Sequence, residues 1–265
     1  MTKVRISHCL FVVFIALPPP PPSALAQTPE PVVFSAADGV RVYADLYRGP
    51  LGFRGPLVIL YHQAGSNAAE YETIAPRLVQ LGATALAVDQ RSGGRLFGLG
   101  NRTAAGHGKR ADFNEAFADL EAALDWSIQR GAGARLVVWG SSYSAASVFR
   151  LAAARPEIDV VLAFSPGEFL GSEHSVAGYA RQVRVPTFVT AGEGSELIEA
   201  RAIFDAVAST DKMFHHPRVG VHGSSTLRPD RNPAGASENW RAVEEFLLKY
   251  VGGLRQPEPG DQASR

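Results

Sequence analysis

The pattern of apolar and polar positions marks most elements before any chemistry is considered. Residues 32–35 and 40–46 are β-rich runs separated by Ala36-Ala37-Asp38-Gly39, and an Asp-Gly step between such runs signals a hairpin. The runs 57–61, 83–88, 136–139, 160–164 and 185–190 are continuously apolar rather than alternating. A strand covered on both faces has no polar side to present, so these read as interior strands of a sheet. Between them, residues 68–81, 145–154 and 196–208 carry helical patterns. A further helix starts at Asp112, an N-cap with Glu115 three residues on, and places Phe113, Ala116, Phe117, Leu120, Leu124 and Ile128 on one stripe. A last helix covers 238–250.

This strand–helix alternation predicts an α/β fold: a mostly parallel sheet flanked by helices on both faces, preceded by the antiparallel hairpin. The stretch between positions 142 and 196 holds one helix, one strand and a short crossover with Phe169 and Tyr179, so no cap domain is expected.

The two ends read differently. Lys3 and Arg5 precede an apolar run over 9–17 that is too short to span a bilayer, and Ser23-Ala24-Leu25-Ala26 has the small-x-small form of a cleavage site. Residues 1–26 therefore read as a signal peptide and 27–265 as one domain with a frayed tail from about 252. This predicts a periplasmic or secreted protein with no stable membrane insertion after signal removal. Lys plus Arg and Asp plus Glu each number 26, so no net field draws the chain to nucleic acid. The one cysteine, Cys9, lies in the segment expected to be lost, which leaves no disulfide, thiol nucleophile or cysteine metal site. With no G-x-G-x-x-G after the first strand and no His pair at metal spacing, neither cofactor nor metal is expected.

The chemistry concentrates in 135–146, where a buried strand meets Gly140-Ser141-Ser142-Tyr143-Ser144 and then a helix. A serine on a sharp strand-to-helix turn exposes its hydroxyl at a helix N-terminus, and the turn tolerates only small neighbours two positions either side. Gly140 satisfies one side; Ser144 stands where the usual pattern has glycine. Ser142 is thus the candidate nucleophile, the plain alternative being a Gly-Ser turn that caps a helix.

Four motifs in order, Tyr61-His62-Gln63-Ala64-Gly65-Ser66-Asn67, Asp89-Gln90-Arg91-Ser92-Gly93-Gly94, the Ser142 turn and Gly220-Val221-His222-Gly223, resemble the α/β-hydrolase superfamily, most closely its dienelactone-hydrolase-like branch. The similarity spans roughly residues 32 to 250. It implies the chain order serine, acid, histidine, with His222 as general base. The family's usual Asp after the strand at 185–190 is absent, and two glutamates compete for its place: Glu196, where the next helix begins, and Glu193, nearer the strand end. Glu196 is favoured by its reach, although either is also a carboxylate suited to a helix N-terminus. Backbone donors for an oxyanion are expected from Tyr143 and from Gln63 or Ala64. His62, Asp89 and Arg91 resemble structural positions.

The implied activity is that of a serine hydrolase, of carboxylesterase or dienelactone-hydrolase type, acting on a small ester or lactone. A peptidase or thioesterase on the same triad, or a binding protein that kept the fold without activity, are the alternatives. Residues 91–110 carry Arg91, Arg95, Arg102, Lys109 and Arg110 with no acid. Such a loop either overhangs the site and favours an anionic substrate or is simply solvated.

Overall fold

The continuous apolar runs fold as interior strands in a computed structural model of the chain, which describes residues 28–109, 111–131 and 135–255. The expected signal segment over 1–26 and the tail beyond Arg255 lie outside the described residues. The strands are β1 Glu30–Ser35, β2 Arg41–Tyr47, β3 Leu57–Tyr61, β4 Thr84–Asp89, β5 Leu136–Ser141, β6 Val160–Phe164, β7 Thr187–Thr190 and β8 Lys212–His215. They form one sheet in the order β1-β2-β4-β3-β5-β6-β7-β8. β1 and β2 pair antiparallel as the expected hairpin, β2 joins β4 antiparallel, and every other pairing is parallel. Every residue of β3 to β7 is buried.

The helices are α1 Ala75–Gln80, α2 Arg102–His107, α3 Phe117–Gln129, α4 Tyr143–Ala154, α5 Val176–Ala180, α6 Ser195–Ala206 and α7 Ala236–Tyr250. Successive strand residues point to opposite faces. Ile59 and Val138 accordingly join Leu120, Leu124, Phe149 and Ile203 of α3, α4 and α6 in one core, while Leu60 and Trp139 join Leu78 of α1 and Phe246 and Leu247 of α7 in the other. Burying each such side chain stabilises the fold by about 1.5–3 kcal/mol. Among the described residues there is no cap domain, and no helix is long and apolar enough to cross a membrane.

Two expected helices take a different course. The pattern over 68–81 folds as a 3₁₀ turn, Ala68–Tyr71, followed by α1. Pro76 lies in the first turn of α1, where its missing N–H costs nothing, whereas inside one continuous helix it would remove a hydrogen bond and clash with the preceding turn. At the other helix, Asp112 and Glu115 form a reciprocal capping box, Glu115 N–H on Asp112 Oδ1 at 2.8 Å and Asp112 N–H on Glu115 Oε2 at 3.0 Å. The chain then makes one i to i+4 bond, Ala116 N–H to Asp112 O, and i to i+3 bonds at Phe117 and Asp119, and regular helix begins only at Phe117; such tighter turns are common at helix ends. The strand expected from 185 starts at Thr187, one residue beyond Pro186, which has no N–H to give a ladder.

The sheet order reverses at β3: the chain goes to β4 on one side and then to β5 on the other. Loops leaving β3 and β5 diverge there, opening a crevice at the C-terminal ends of the strands.

The hairpin is tied to the sheet by a buried charge. Arg91, just past β4, gives its backbone N–H to Asp119 Oδ2 at 2.7 Å and its guanidinium to Asp119 Oδ1 at 2.6 Å, both side chains being almost wholly enclosed. It also clasps Asp38 of the hairpin turn. Burial pushes the Asp119 carboxyl upward against the pull of Arg91, while the hydrogen bond from Arg91 holds Asp38 at about 2. The Asp38 contribution to stability is therefore complete above the ordinary carboxylate value of about 3.9 and fades as the pH falls toward its depressed folded value. Replacing one partner of an enclosed pair strands the other, so Asp119→Ala is expected to lower the unfolding free energy by about 3–5 kcal/mol in urea titration; a change below about 1 kcal/mol would show that Arg91 needs no buried counter-charge.

Candidate active site

Ser142 is the single residue between β5 and α4, at φ 60° and ψ −123°. A non-glycine residue at positive φ is costly and persists only where its surroundings over-determine it. Three features do so. Its N–H is held by Phe164 O of β6 at 2.8 Å, and its C=O opens α4 by accepting Ala145 N–H at 2.8 Å. The third is Gly140, where any Cβ would run into the Ser144 carbonyl. The Ser142 side chain makes no cap bond to the helix it precedes, so the turn does not use its hydroxyl as an N-cap.

Ser144, where glycine was expected, is built into the fold. Its hydroxyl donates to His62 O at 2.6 Å and accepts from Gln90 Nε2 at 2.7 Å. The same Gln90 amide reaches Tyr143 OH at 2.7 Å, and Gln90 Oε1 accepts His62 N–H at 2.8 Å. His62 is wholly buried. Its Nε2 accepts Gln90 N–H at 2.9 Å, which puts the proton on Nδ1 to donate to Gln63 O at 2.7 Å. His62 is thus a structural joint between the loops after β3 and β4. Asp89 likewise accepts Ala68 N–H and pairs with Arg102.

His222 follows β8 and opens a 3₁₀ turn, Gly223–Leu227. Two free amides of that turn are pinned over the ends of β5 and β6: Ser224 N–H on Ser141 Oγ and Gly223 N–H on Ser165 Oγ, each at 2.9 Å. Gly223 has φ 64°, and a Cβ there would meet Ser141 Oγ. His222 is therefore carried by a turn anchored on the residue next to Ser142. Its Nδ1 contacts Glu196 Oε1 at 2.8 Å; with Nδ1–H given to a carboxylate, Nε2 is left unprotonated.

Glu196 lies in the first turn of α6. Its second oxygen, Oε2, accepts Ser165 Oγ–H at 3.0 Å and Gly192 N–H at 3.2 Å. Glu193, the competing acid, is exposed on the loop before Gly194. The structure thus brings His222 and Glu196 together and leaves Glu193 outside. Ser165 was not singled out from the sequence; an isolated Ser-Pro step after a strand carries no signal for it.

The oxyanion expectation needs one correction. The Gln63 backbone N–H is already given to Glu70 Oε2 at 2.9 Å, the Glu70 side chain being fully buried. A donor consumed inside the fold has nothing left for substrate. Among the described residues Ala64 N–H has no acceptor, its residue is exposed, and Tyr143 N–H is free at the start of α4. Ala64 and Tyr143 are the two amides that remain.

A cavity of about 330 Å³ adjoins this loop, lined by Ala64 and Gly65 together with Ser92, Lys109 and Phe113. Phe113 stacks on Tyr143 with ring centroids 4.1 Å apart, and burial pushes the Tyr143 phenol far up, so it stays neutral. The charge of the basic loop is largely spent on acids from other segments: Arg91 on Asp38 and Asp119, Arg102 on Asp45 and Asp89, Lys109 on Glu115. Arg110 lies outside the described residues. A larger cavity of about 410 Å³ lies at the β1 edge of the sheet, against α3. Among the described residues no three His, Cys, Asp or Glu side chains are arranged to hold a metal ion.

Residues 55–167 match the family model described as "Serine aminopeptidase, S33". No curated protein matches the chain. Among solved structures, an esterase from Pyrococcus furiosus superposes with TM-score 0.66 at 18% identity, over 89% of this chain and 97% of its own. The dienelactone hydrolase of Anabaena variabilis gives 0.63 at 17%, over 84% and 99%. An acylaminoacyl peptidase of Pyrococcus horikoshii gives 0.64 at 14%, over 86% of this chain and 42% of its own. At such identities the likeness is one of fold.

The elbow has a direct test in Gly140→Ala. The added methyl has only backbone to meet, so the variant is expected to lose about 3 kcal/mol of stability, read as a lowered urea midpoint. Wild-type stability would mean that the turn is looser than described.

Proposed function

We propose that this chain, a member of the α/β-hydrolase superfamily by its fold, is a serine hydrolase that cleaves small ester or lactone substrates through an acyl-enzyme on Ser142. The observation that carries the reading is the 2.8 Å contact between Glu196 and His222 on a turn anchored beside the strained Ser142. Because Glu196 takes the Nδ1 proton, Nε2 is the imidazole atom free to accept a proton from a serine hydroxyl.

In this reading Ser142 Oγ adds to the substrate carbonyl carbon as its proton passes to His222 Nε2. The carbonyl electron pair moves onto oxygen, between the N–H groups of Tyr143 and Ala64. Collapse of the tetrahedral species breaks the bond to the alkoxy oxygen, which leaves with the proton from His222. Water then repeats the sequence on the acyl-enzyme and releases the acid. Among the described residues no hydrogen bond joins Ser142 Oγ to the imidazole, whose partner is Glu196; in this reading that bond forms when substrate binds, as catalytic hydrogen bonds often tighten at that point. The absence of a cap domain among the described residues favours small substrates, and the pairing of Arg91, Arg102 and Lys109 with acids removes the main reason to expect an anionic one.

The family model named for a serine aminopeptidase and the acylaminoacyl peptidase neighbour favour a second reading, amide cleavage by the same residues, since one triad serves several acyl groups. A non-catalytic binding role has less support, because a fold kept only for binding has no need of the Glu196–His222 contact.

The test is turnover of p-nitrophenyl acetate, a small lactone and alanine p-nitroanilide, run beside fluorophosphonate labelling. Ser142→Ala is expected to abolish labelling and to lower ester kcat by about 10⁴-fold or more, and Glu196→Gln by about 10²- to 10⁴-fold. Labelling that persists in Ser142→Ala contradicts the proposal; faster release of nitroaniline than of nitrophenol moves it to the peptidase reading.

A further inference from the structure

We propose that Ser165 is a positioning residue whose hydroxyl holds both members of the Glu196–His222 pair, a role that rests on the hydrolase reading above. Ser165 follows β6, is 2% exposed, and has φ 54°; among the described residues it and Ser142 are the non-glycine positions at positive φ. Glycine would occupy that conformation without strain, so a serine there needs a reason, and its contacts supply one. The hydroxyl accepts Gly223 N–H at 2.9 Å and Gly192 N–H at 3.3 Å, and donates to Glu196 Oε2 at 3.0 Å.

A hydroxyl has one proton and two lone pairs. Here both lone pairs face amide donors, one from the loop after β7 and one from the loop after β8. The proton is left with a single direction, toward Glu196. Ser165 and Gly192 N–H occupy Oε2 together, which leaves Oε1 to receive Nδ1–H of His222. The Gly223 contact fixes the residue after His222 in the chain. One atom thus sets the rotation of the carboxylate and the seat of the imidazole, and through them the tautomer with Nε2 free. The backbone strain at position 165 is retained because glycine, which would relieve it, has no hydroxyl.

Strain and hydroxyl can be separated by two substitutions. Ser165→Gly relieves the strain and deletes the hydroxyl. Ser165→Thr keeps the hydroxyl and worsens the strain, because a β-branched side chain fits positive φ poorly. A merely structural role makes activity follow stability. The positioning role makes the two cross: Ser165→Gly keeps or raises Tm while ester kcat falls about 10- to 100-fold with KM little changed, whereas Ser165→Thr lowers Tm and keeps most of kcat.

The spectroscopic companion is the downfield proton resonance of His222 Nδ1–H, assigned by its loss in His222→Ala. It is expected in the wild type and in Ser165→Thr, and lost or broadened in Ser165→Gly. Wild-type kcat and an unchanged resonance in Ser165→Gly would overturn the proposal, as would activity that tracks Tm through both variants. If the wild type neither labels with fluorophosphonate nor turns over ester, the hydrolase reading fails. The resonance then decides alone: its loss in Ser165→Gly and survival in Ser165→Thr uphold the positioning role, and no change in Ser165→Gly overturns it.

Discussion

Everything at this site depends on one strained backbone turn, the passage from β5 to α4 through Ser142. The positive φ is paid for by its neighbours: the Phe164 carbonyl holds the Ser142 amide, and Gly140 lets the Ser144 carbonyl pass where any side chain would obstruct it. A hydroxyl at the end of a buried strand is thereby presented at the mouth of the crevice without serving as a helix cap. Because β5 lies beside β3 at the point where strand order reverses, the loop bearing Ala64 and the turn bearing His222 gather around the same spot.

The surroundings of that turn are polar yet almost fully satisfied. His62, Gln90, Ser144 and Tyr143 form a closed set of hydrogen bonds beneath it. On the other side Ser141 and Ser165 take up amides of the His222 turn. Buried polar groups of this kind are expensive when unpaired and rigid when paired. The rigidity therefore resides in side chains bonded to one another and to backbone, and Ser144 exemplifies it: its hydroxyl stitches α4 to the loop after β3.

The interior strands were legible because burial on two faces leaves an uninterrupted apolar run, and Ser142 was legible because few residues tolerate its neighbours' crowding. The short helices α2 and α5 were not, since five or six residues give no periodicity to read. Pro76 divided a helix that hydrophobic spacing alone would have continued. Glu193 and Glu196 are too close in the chain to be told apart by position; the left-handed turn at Gly194 separates them, putting one in solvent and the other in the first turn of α6. The basic loop looked unpaired because none of its acids lies within 91–110: Asp89 and Glu115 stand just outside its two ends, and Asp38, Asp45 and Asp119 come from the hairpin and α3. Ser165 was hidden for a related reason. Nothing local marks a serine before Pro166 for positive φ, since a residue preceding proline is ordinarily extended, and its three partners arrive only when the loops after β7 and β8 have folded.

The central claim is that Ser142, His222 and the amides of Ala64 and Tyr143 converge on one reacting carbon. The measurement that bears on it most directly is a crystal structure of the protein treated with a p-nitrophenyl alkylphosphonate. The account expects phosphorus bonded to Ser142 Oγ, the phosphoryl oxygen within about 3 Å of the N–H groups of Ala64 and Tyr143, and His222 Nε2 facing the Ser142 ester oxygen. Phosphorus on another residue, or a phosphoryl oxygen turned away from both amides, would contradict it.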